Sequence, residues 1–232
     1  MLLVARPPNA VEMPVRIPSR ISPRGAIALQ KELAPLVIQT SALPKEVTRL
    51  VGCDAAYFKG TTVAAATLVD YDSLELLTTK SFTERTRFPY IPGLLAFREG
   101  PAVLRAIRAL RAKPYICLVD AHGLAHPRKF GLACLVGVAL NRPTIGVAKS
   151  LLYGWVQGRE VVDREGYPIA QLVQLPQSRK TIYVSVGHKV SLRDAVEIVK
   201  HCLTPRGPAP INFAHDEVSK QRWRLKKSNP AS

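Results

Sequence analysis

Two short apolar runs on either side of a helical pattern constrain this fold most strongly. Residues Tyr115–Val119 and Pro143–Val147 have the composition of buried strands, and Arg128–Leu140 between them has helical spacing. Strand, helix and strand in this order imply parallel pairing through a crossover helix. The chain is therefore expected to contain a sheet covered by helices.

Three strand-like runs precede this unit: Arg49–Phe58, Thr61–Tyr71 and Leu74–Thr83. Lys59-Gly60 is suited to a hairpin turn between the first two. An antiparallel hairpin region that leads into parallel strands predicts an α/β fold with a mixed sheet flanked by helices.

The remaining elements are less regular. Residues Trp155–Val184 indicate a β excursion. Helical patterns are predicted from Pro23 to a break at Pro35, over Arg98–Arg111 with Pro101 in the first turn, and from a Ser191 cap to Cys202. We expect a basic flexible arm at 1–24, one domain at 25–225 and a basic tail at 226–232, with mobility already from Ser219.

The charge balance favours a polyanionic partner. The chain has 33 Lys and Arg against 17 Asp and Glu, a net charge of +16. Nucleic acid is the first candidate, an anionic membrane surface the second, and an ordinary basic protein the third. No apolar run reaches the roughly 20 residues that span a bilayer, so we expect no membrane partner and a cytoplasmic location.

The cysteines exclude two functional classes. Cys53, Cys117, Cys134 and Cys202 are scattered and form no C-x-x-C pair. They indicate neither a zinc cluster nor a disulfide framework, and are typical of small core residues in a reducing compartment.

Three acids could meet at one point. Asp54 lies in the apolar strand LVGCDAAYF, Asp120 ends another strand, and Glu99 comes just before a helix in FREGPAV. A buried carboxylate needs a partner or a metal. Oxygen ligands suit Mg²⁺ or Mn²⁺, and paired ions can assist phosphodiester cleavage. Alternatively, Asp120 caps a loop or a helix and Glu99 pairs with Arg98.

Further candidates surround this edge. Lys149 and Ser150 close the strand TIGVAKS, where the lysine either binds phosphate or is simply solvated. His122 and His126 could orient a carboxylate, contact substrate or fill polar space. The loop FPYIPG (88–93) is either a rigid wedge that unstacks bases or a packed turn.

Five segments resemble the endonuclease V family, in the same order and at fitting intervals. They are GCDAAY, FPYIPGLLAFREGP, LVDAHGLAHPRKFGLA, PTIGVAKSLL and YVSVGHKVSL, within a similarity from about Ala26 to about Ser219. The resemblance implies an RNase H-like fold and Mg²⁺-dependent cleavage of strands with deaminated bases, above all hypoxanthine.

The resemblance also implies residue roles. Asp54, Glu99 and Asp120 match the catalytic, metal-associated carboxylates, and Lys149 the lysine near the scissile phosphate. His215 matches a position that supports the metal, although Asp216 beside it is an alternative. The strand-separating wedge would be Tyr90 within Pro89, Ile91 and Pro92, and the recognition pocket would comprise Gly93, Leu95, Gly123, His126, Gly131, Ala148, Ser150 and Leu152.

One position departs from the family pattern. The family usually has D-G-H-G where this chain has Asp120-Ala121-His122-Gly123. Alanine costs strain if the backbone there needs a positive φ or a close approach by another backbone segment, and is harmless otherwise. Arg128-Lys129, at the expected start of the next helix, would favour phosphate through their charge and the helix N-terminus.

The implied reaction cuts the second phosphodiester 3′ to the altered base and leaves 3′-hydroxyl and 5′-phosphate ends. We expect a monomer that acts on DNA with deaminated bases, with inosine-containing RNA as the other candidate substrate. Two rivals stay open: another RNase H-like nuclease such as a junction resolvase, and a non-cleaving binder of inosine-containing nucleic acid.

Overall fold

The computed structural model describes residues 17, 18, 20–113 and 115–228. Most of the predicted N-terminal arm and the last four residues of the predicted tail lie outside these ranges. Within the described part of the arm, Ile17 and Ile21 pack against the hydrophobic core.

The described strands build one large sheet and one small ribbon. They are β1 (Arg49–Phe58), β2 (Thr61–Asp70), β3 (Leu76–Arg85), β4 (Ile116–Val119), β5 (Thr144–Ala148), β6 (Trp155–Gln157), β7 (Glu160–Val162), β8 (Pro168–Gln174), β9 (Thr181–His188), β10 (Leu203–Thr204) and β11 (Gly207–Pro208). The large sheet has the order β3-β2-β1-β4-β5-β9-β8-β7-β6, and β10 pairs with β11.

The pairing confirms the predicted mixed sheet. The first three strands form antiparallel hairpins, β4 pairs in parallel with β1 and β5, and the remaining neighbours are antiparallel. Lys59 and Gly60 both have positive φ, 41° and 79°, as a two-residue hairpin turn requires.

Helices cover both faces of this sheet. They are α1 (Pro23–Leu33), α2 (Leu95–Ala109), α3 (Leu132–Leu140), α4 (Leu192–His201) and α5 (Ala209–Ser228), with a 3₁₀ turn at Ala34–Leu36. As predicted, Ser191 caps α4 by accepting a hydrogen bond from the Asp194 N–H. All four cysteines are buried and free.

The alternation of β1 separates the two layers. Gly52, Asp54 and Ala56 point toward α5, whereas Cys53 and Ala55 point to the layer of α2. A Cβ atom on Gly52 would lie 2.1 Å from the carbonyl of Pro210 at the start of α5. Glycine is therefore what allows α5 to lie directly on the central strand.

Two predicted boundaries are wrong around α2 and β3. Helix α2 begins at Leu95, so Pro101 lies inside the helix and Glu99 belongs to it rather than preceding it. The buried side chains of Ala96 and Phe97 extend the apolar face upstream of the predicted start. Strand β3 begins two residues late because Leu74 has a left-handed φ of 56° in the preceding turn.

Two further predictions fail around α3 and the C-terminus. Helix α3 begins at Leu132, since Lys129 has a φ of 50° and interrupts any helix from Arg128. The basic segment from Ser219, expected as a mobile tail, is helical through Ser228. It continues α5, and the buried residues Ile211, Ala214 and Val218 anchor the first half of that helix.

Candidate active site

The central strand holds an acid against the C-terminal helix. Asp54 lies in the middle of β1, and its side chain is 10% exposed. The Nδ1 atom of His215, in the second turn of α5, lies 2.9 Å from its Oδ2 atom. The close approach of α5 at Gly52 brings this imidazole to the strand.

A second acid lies at the end of the neighbouring parallel strand. Asp120 follows β4 directly, and its N–H donates to the Cys53 carbonyl. Its side chain is 12% exposed, and Lys149, directly after β5, places its Nζ atom 2.6 Å from Oδ2. The ends of parallel strands are the usual ligand edge of an open α/β sheet.

Ligand atoms of Asp54, Asp120 and His215 all lie within 4.8 Å of one another. Asp216, the alternative at this position, instead forms an exposed ion pair with Arg206 at 2.5 Å. The geometry therefore brings His215, and not its neighbour, to the two partly buried carboxylates.

Glu99, in α2, is not part of that group of ligand atoms, but the charges of Asp54 and Asp120 affect its pKa. Burial, and then the charge of Asp54, raise its pKa to about 8. The pKa of Asp54 is raised too, by burial and by Asp120, and His215 opposes that rise. Burial and mutual repulsion make the ionised forms of these carboxylates unfavourable. A bound cation would offset that repulsion, so the group is suited to hold one.

A cavity of about 220 Å³ adjoins the acids. Ala121 and Ser150, which line it, are the chain neighbours of Asp120 and Lys149. The predicted pocket and wedge residues in its wall are Tyr90, Ile91, Pro92, Gly93, Leu95, His126, Gly131, Ser150 and Leu152. Three others are absent from the wall formed by the described residues: Pro89, Gly123 and Ala148. Tyr90 stands at this cavity with 70% of its surface exposed.

One carbonyl fixes the shape of this cavity. Gly93, with a φ of 76°, accepts hydrogen bonds from the side chains of Gln30 at 3.1 Å, His126 at 2.8 Å and Arg128 at 2.7 Å. Gln30 also donates to the Phe130 carbonyl at 2.8 Å and accepts from Arg128 Nε at 2.6 Å. The network joins α1, the proline-rich loop and the loop before α3.

The network defines the state of His126. Its Nδ1 atom accepts from the Arg128 N–H at 3.1 Å, so Nε2 carries the proton that is donated to Gly93. Burial lowers the pKa of His126 to about 4, which keeps the ring neutral. His122, also in the cavity wall, has a buried Nδ1 atom without a hydrogen-bond partner among the described residues, and burial lowers its pKa.

Arg128 and Lys129 do not lie at a helix start, as the predicted phosphate site required, and both have partners within the protein. Arg128 is engaged with Gln30 and Gly93, and Lys129 Nζ lies 2.7 Å from the buried Asp163 carboxylate. One N-terminal N–H group of α3, that of Ala133, donates to the His122 carbonyl. Both cations stabilise the loop that they belong to.

Sequence reasoning did not single out Gln30. It is fully buried although it is polar, and it lies in α1, far along the chain from the pocket. Its only signal was a glutamine on the apolar face of a helix, which is compatible with an ordinary boundary position.

The alanine that departs from the family pattern does not have a left-handed backbone. Ala121 is not among the described residues with positive φ, and it is buried in the cavity wall. Its methyl group therefore changes the shape of the wall and not the backbone conformation.

The comparisons with known proteins identify the family of this chain. The family model described as Endonuclease V matches residues 31–216. The chain belongs to the endonuclease V family. The endonuclease V of Desulfurococcus amylolyticus is 43% identical over 184 residues, which cover 77% of this chain and 83% of the relative.

Solved endonuclease V structures share the fold. The Streptomyces avermitilis enzyme has a TM-score of 0.81 and 33% identity, covering 94% of this chain and 100% of that chain. The Ciona intestinalis enzyme, in complex with a 24mer DNA containing an inosine followed by a ribo-adenosine, has a TM-score of 0.78 and 28% identity, covering 85% and 96%. The resemblance and the predicted fold class are thereby confirmed.

As an endonuclease V, this protein is a nuclease that hydrolyses phosphodiester bonds. None of the helices described here has the length and apolar character needed to cross a membrane.

Proposed function

We propose that this endonuclease V cleaves nucleic-acid strands at hypoxanthine, cutting the second phosphodiester bond 3′ to the altered base. The products would carry 3′-hydroxyl and 5′-phosphate ends. The carrying observation is that ligand atoms of two partly buried carboxylates and one imidazole lie within 4.8 Å of one another. This group adjoins the 220 Å³ cavity through the peptide bonds Asp120–Ala121 and Lys149–Ser150.

The donor set fits a divalent cation. Asp54 and Asp120 supply hard oxygen ligands and His215 a nitrogen, a combination that suits Mn²⁺ as well as Mg²⁺. A cation there would offset the repulsion between the carboxylates and polarise the phosphate that is cut. Glu99 in α2 would add negative charge once a bound cation offsets the effects of burial and of repulsion from Asp54 and Asp120, which raise its pKa.

The chain's own groups would orient the reaction. The water oxygen would bond to phosphorus and give up a proton, the bond from phosphorus to the 3′ oxygen would break, and that oxygen would take up a proton. Lys149, with a side chain that is 64% exposed beside Asp120, can reach a phosphate oxygen and offset the charge that grows in the transition state.

The cavity would receive the altered base. Its wall combines the apolar side chains of Ile91, Leu95 and Leu152 with polar atoms of His122 and Ser150. An extruded base needs apolar faces and a few hydrogen-bonding edges. The exposed ring of Tyr90 at the cavity would fill the space that the base leaves in the strand.

The net charge of +16 supports backbone binding that weakens with salt. DNA with deaminated bases and inosine-containing RNA are both proposed substrates. The Ciona intestinalis enzyme binds a DNA in which a ribo-adenosine follows the inosine. A monomeric state and a cytoplasmic location stay predictions.

The test is cleavage of matched single-stranded DNA and RNA oligonucleotides with one inosine, in Mg²⁺, Mn²⁺ or EDTA. We expect a cut one nucleotide past inosine that needs the cation, and a loss of at least about a hundredfold in Asp54→Ala. His215→Ala should weaken the response to cation, whereas the neighbouring Asp216→Ala should not.

Two results would contradict the proposal. Tight inosine-dependent binding without any product would support the non-cleaving binder instead. Cleavage of four-way junctions that lack a modified base would support a resolvase.

A further inference from the structure

The second half of α5 is a basic helix that the active site does not use. Residues 219–228 contain five Lys or Arg and no acid, and they lie beyond residues 31–216 that the family model matches. No ion pair involves these five cations within the described part of the chain. Their charge is therefore available for an external partner.

Two of these cations share a helix face with His215. Arg222 and Lys226 follow it by seven and eleven positions, which a helix of 3.6 residues per turn returns to within about 20° of the same direction. At 1.5 Å per residue they lie about 10 Å and about 16 Å farther along the axis. Both are exposed.

We propose that Arg222 and Lys226 form a cationic track that binds consecutive phosphates of the single strand passing the active site. This inference rests on the proposed function, because His215 connects the track to the carboxylates where the strand would be cut. The two cations are about 6 Å apart along the axis, within one or two nucleotide steps of a strand.

An aromatic ring flanks the track. Trp223 is 56% exposed, and the Lys227 Nζ atom lies 4.0 Å from its ring centroid. Exposed aromatic rings beside cations are how proteins bind single strands without sequence preference, since every base has a face that can stack.

A nucleic-acid strand fits this helix better than a membrane. The apolar side chains of residues 219–228 are Trp223 and Leu225. Two positions apart, they point about 160° away from each other and form no apolar stripe.

The chain supplies a charge-matched control. Lys220 and Arg224 are exposed cations of the same helix, but they point about 140° and about 180° away from the His215 direction. The variants R222A/K226A and K220A/R224A therefore remove equal charge from opposite faces. Circular dichroism would check that both remain folded.

The first experiment measures binding of the full-length protein to inosine-free oligothymidylate in EDTA, by fluorescence anisotropy over a salt series. Each lost phosphate contact lowers the log–log salt slope by about 0.7 for a single strand. We expect R222A/K226A to lower the slope by about 1.4 and K220A/R224A to leave it near the wild-type value. Equal slopes in the two variants would overturn the track.

Two further readouts sharpen the test. In Trp155→Phe, Trp223 is the remaining tryptophan of two, and its emission should change when the oligonucleotide binds. Unchanged emission on binding would place the strand elsewhere and contradict the proposal. A third measurement compares R222A/K226A with the wild type on vesicles of phosphatidylcholine and phosphatidylserine. If the variant binds these vesicles more weakly than the wild type but binds the oligonucleotide equally well, the track is overturned in favour of a membrane.

Cleavage separates this inference from the proposed function. Binding in EDTA does not depend on hydrolysis, so the track can be supported even where inosine cleavage fails. If cleavage occurs, R222A/K226A should raise KM for an inosine-containing strand and leave kcat unchanged, because the track contacts the strand outside the reacting phosphate.

Discussion

Replacing Gln30 by alanine should destabilise the protein through the network around the Gly93 carbonyl. The substitution removes two hydrogen bonds donated by the buried amide and one accepted from Arg128. Gly93 keeps the donors of His126 and Arg128, whereas Phe130 loses the Gln30 amide that its carbonyl accepts from.

The cost follows from these losses. An orphaned buried polar group costs about 1–3 kcal/mol, and a hydrogen bond to a charged group adds about 1.5–3 kcal/mol when it is lost. Because water can partly satisfy the half-buried Arg128, we expect about 2–4 kcal/mol in total. For a chain of this length that lowers Tm by about 4–16 °C.

The assay is urea unfolding followed by circular dichroism, with Gln39→Ala as the control. Gln39 is exposed, so its substitution should change the free energy of unfolding by less than about 0.5 kcal/mol. A Gln30→Ala variant as stable as this control would refute the reasoning. A double-mutant cycle with Arg128→Ala should show a coupling energy above about 0.5 kcal/mol.

Two other perturbations have worked outcomes. Gly52→Ala places a Cβ atom 2.1 Å from the Pro210 carbonyl, so α5 must shift. We expect the Gly52→Ala variant to have a reduced Tm and a cleavage rate as low as that of His215→Ala. Cleavage at the wild-type rate would show that the helix tolerates the methyl group. Burial would raise the pKa of Asp163, but Lys129 and backbone N–H groups hold it below its usual value. Its stabilisation is therefore present above the unfolded pKa of about 3.9 and is lost as pH falls through the folded pKa. The difference in unfolding free energy between wild type and Asp163→Asn should shrink below pH of about 4. A difference that is constant with pH would contradict this role of the Asp163 carboxylate.

The sequence predicted the sheet because its signals are local. Apolar alternation and the Lys59-Gly60 turn are properties of neighbouring residues, and they were sufficient for the hairpin region and for β4 and β5. Helix starts were harder: α3 was placed too early because the residue that interrupts it, Lys129, carries no side-chain signal for its left-handed backbone.

The candidate metal ligands were predicted by two different routes. Asp54 was conspicuous as a carboxylate in an apolar strand, and the family resemblance supplied His215. The partners of Arg128 could not be predicted, since Gln30 and Gly93 are 98 and 35 positions away in sequence. From the sequence alone, a basic residue beside a helix start is suited to bind phosphate. Only the tertiary structure shows that it instead binds a group of the protein itself.

The hydrogen bonds of the site also bear on the order in which it can form. The bonds that close the cavity wall join residues up to 100 positions apart, whereas the bond between Asp54 and His215 spans 161. During synthesis from the N-terminus, the chain as far as Leu152 already contains every residue of the cavity wall. The carboxylates receive their imidazole only after α5 has been made. A nascent chain would therefore contain the residues of the cavity wall before it contains the imidazole that faces the two carboxylates.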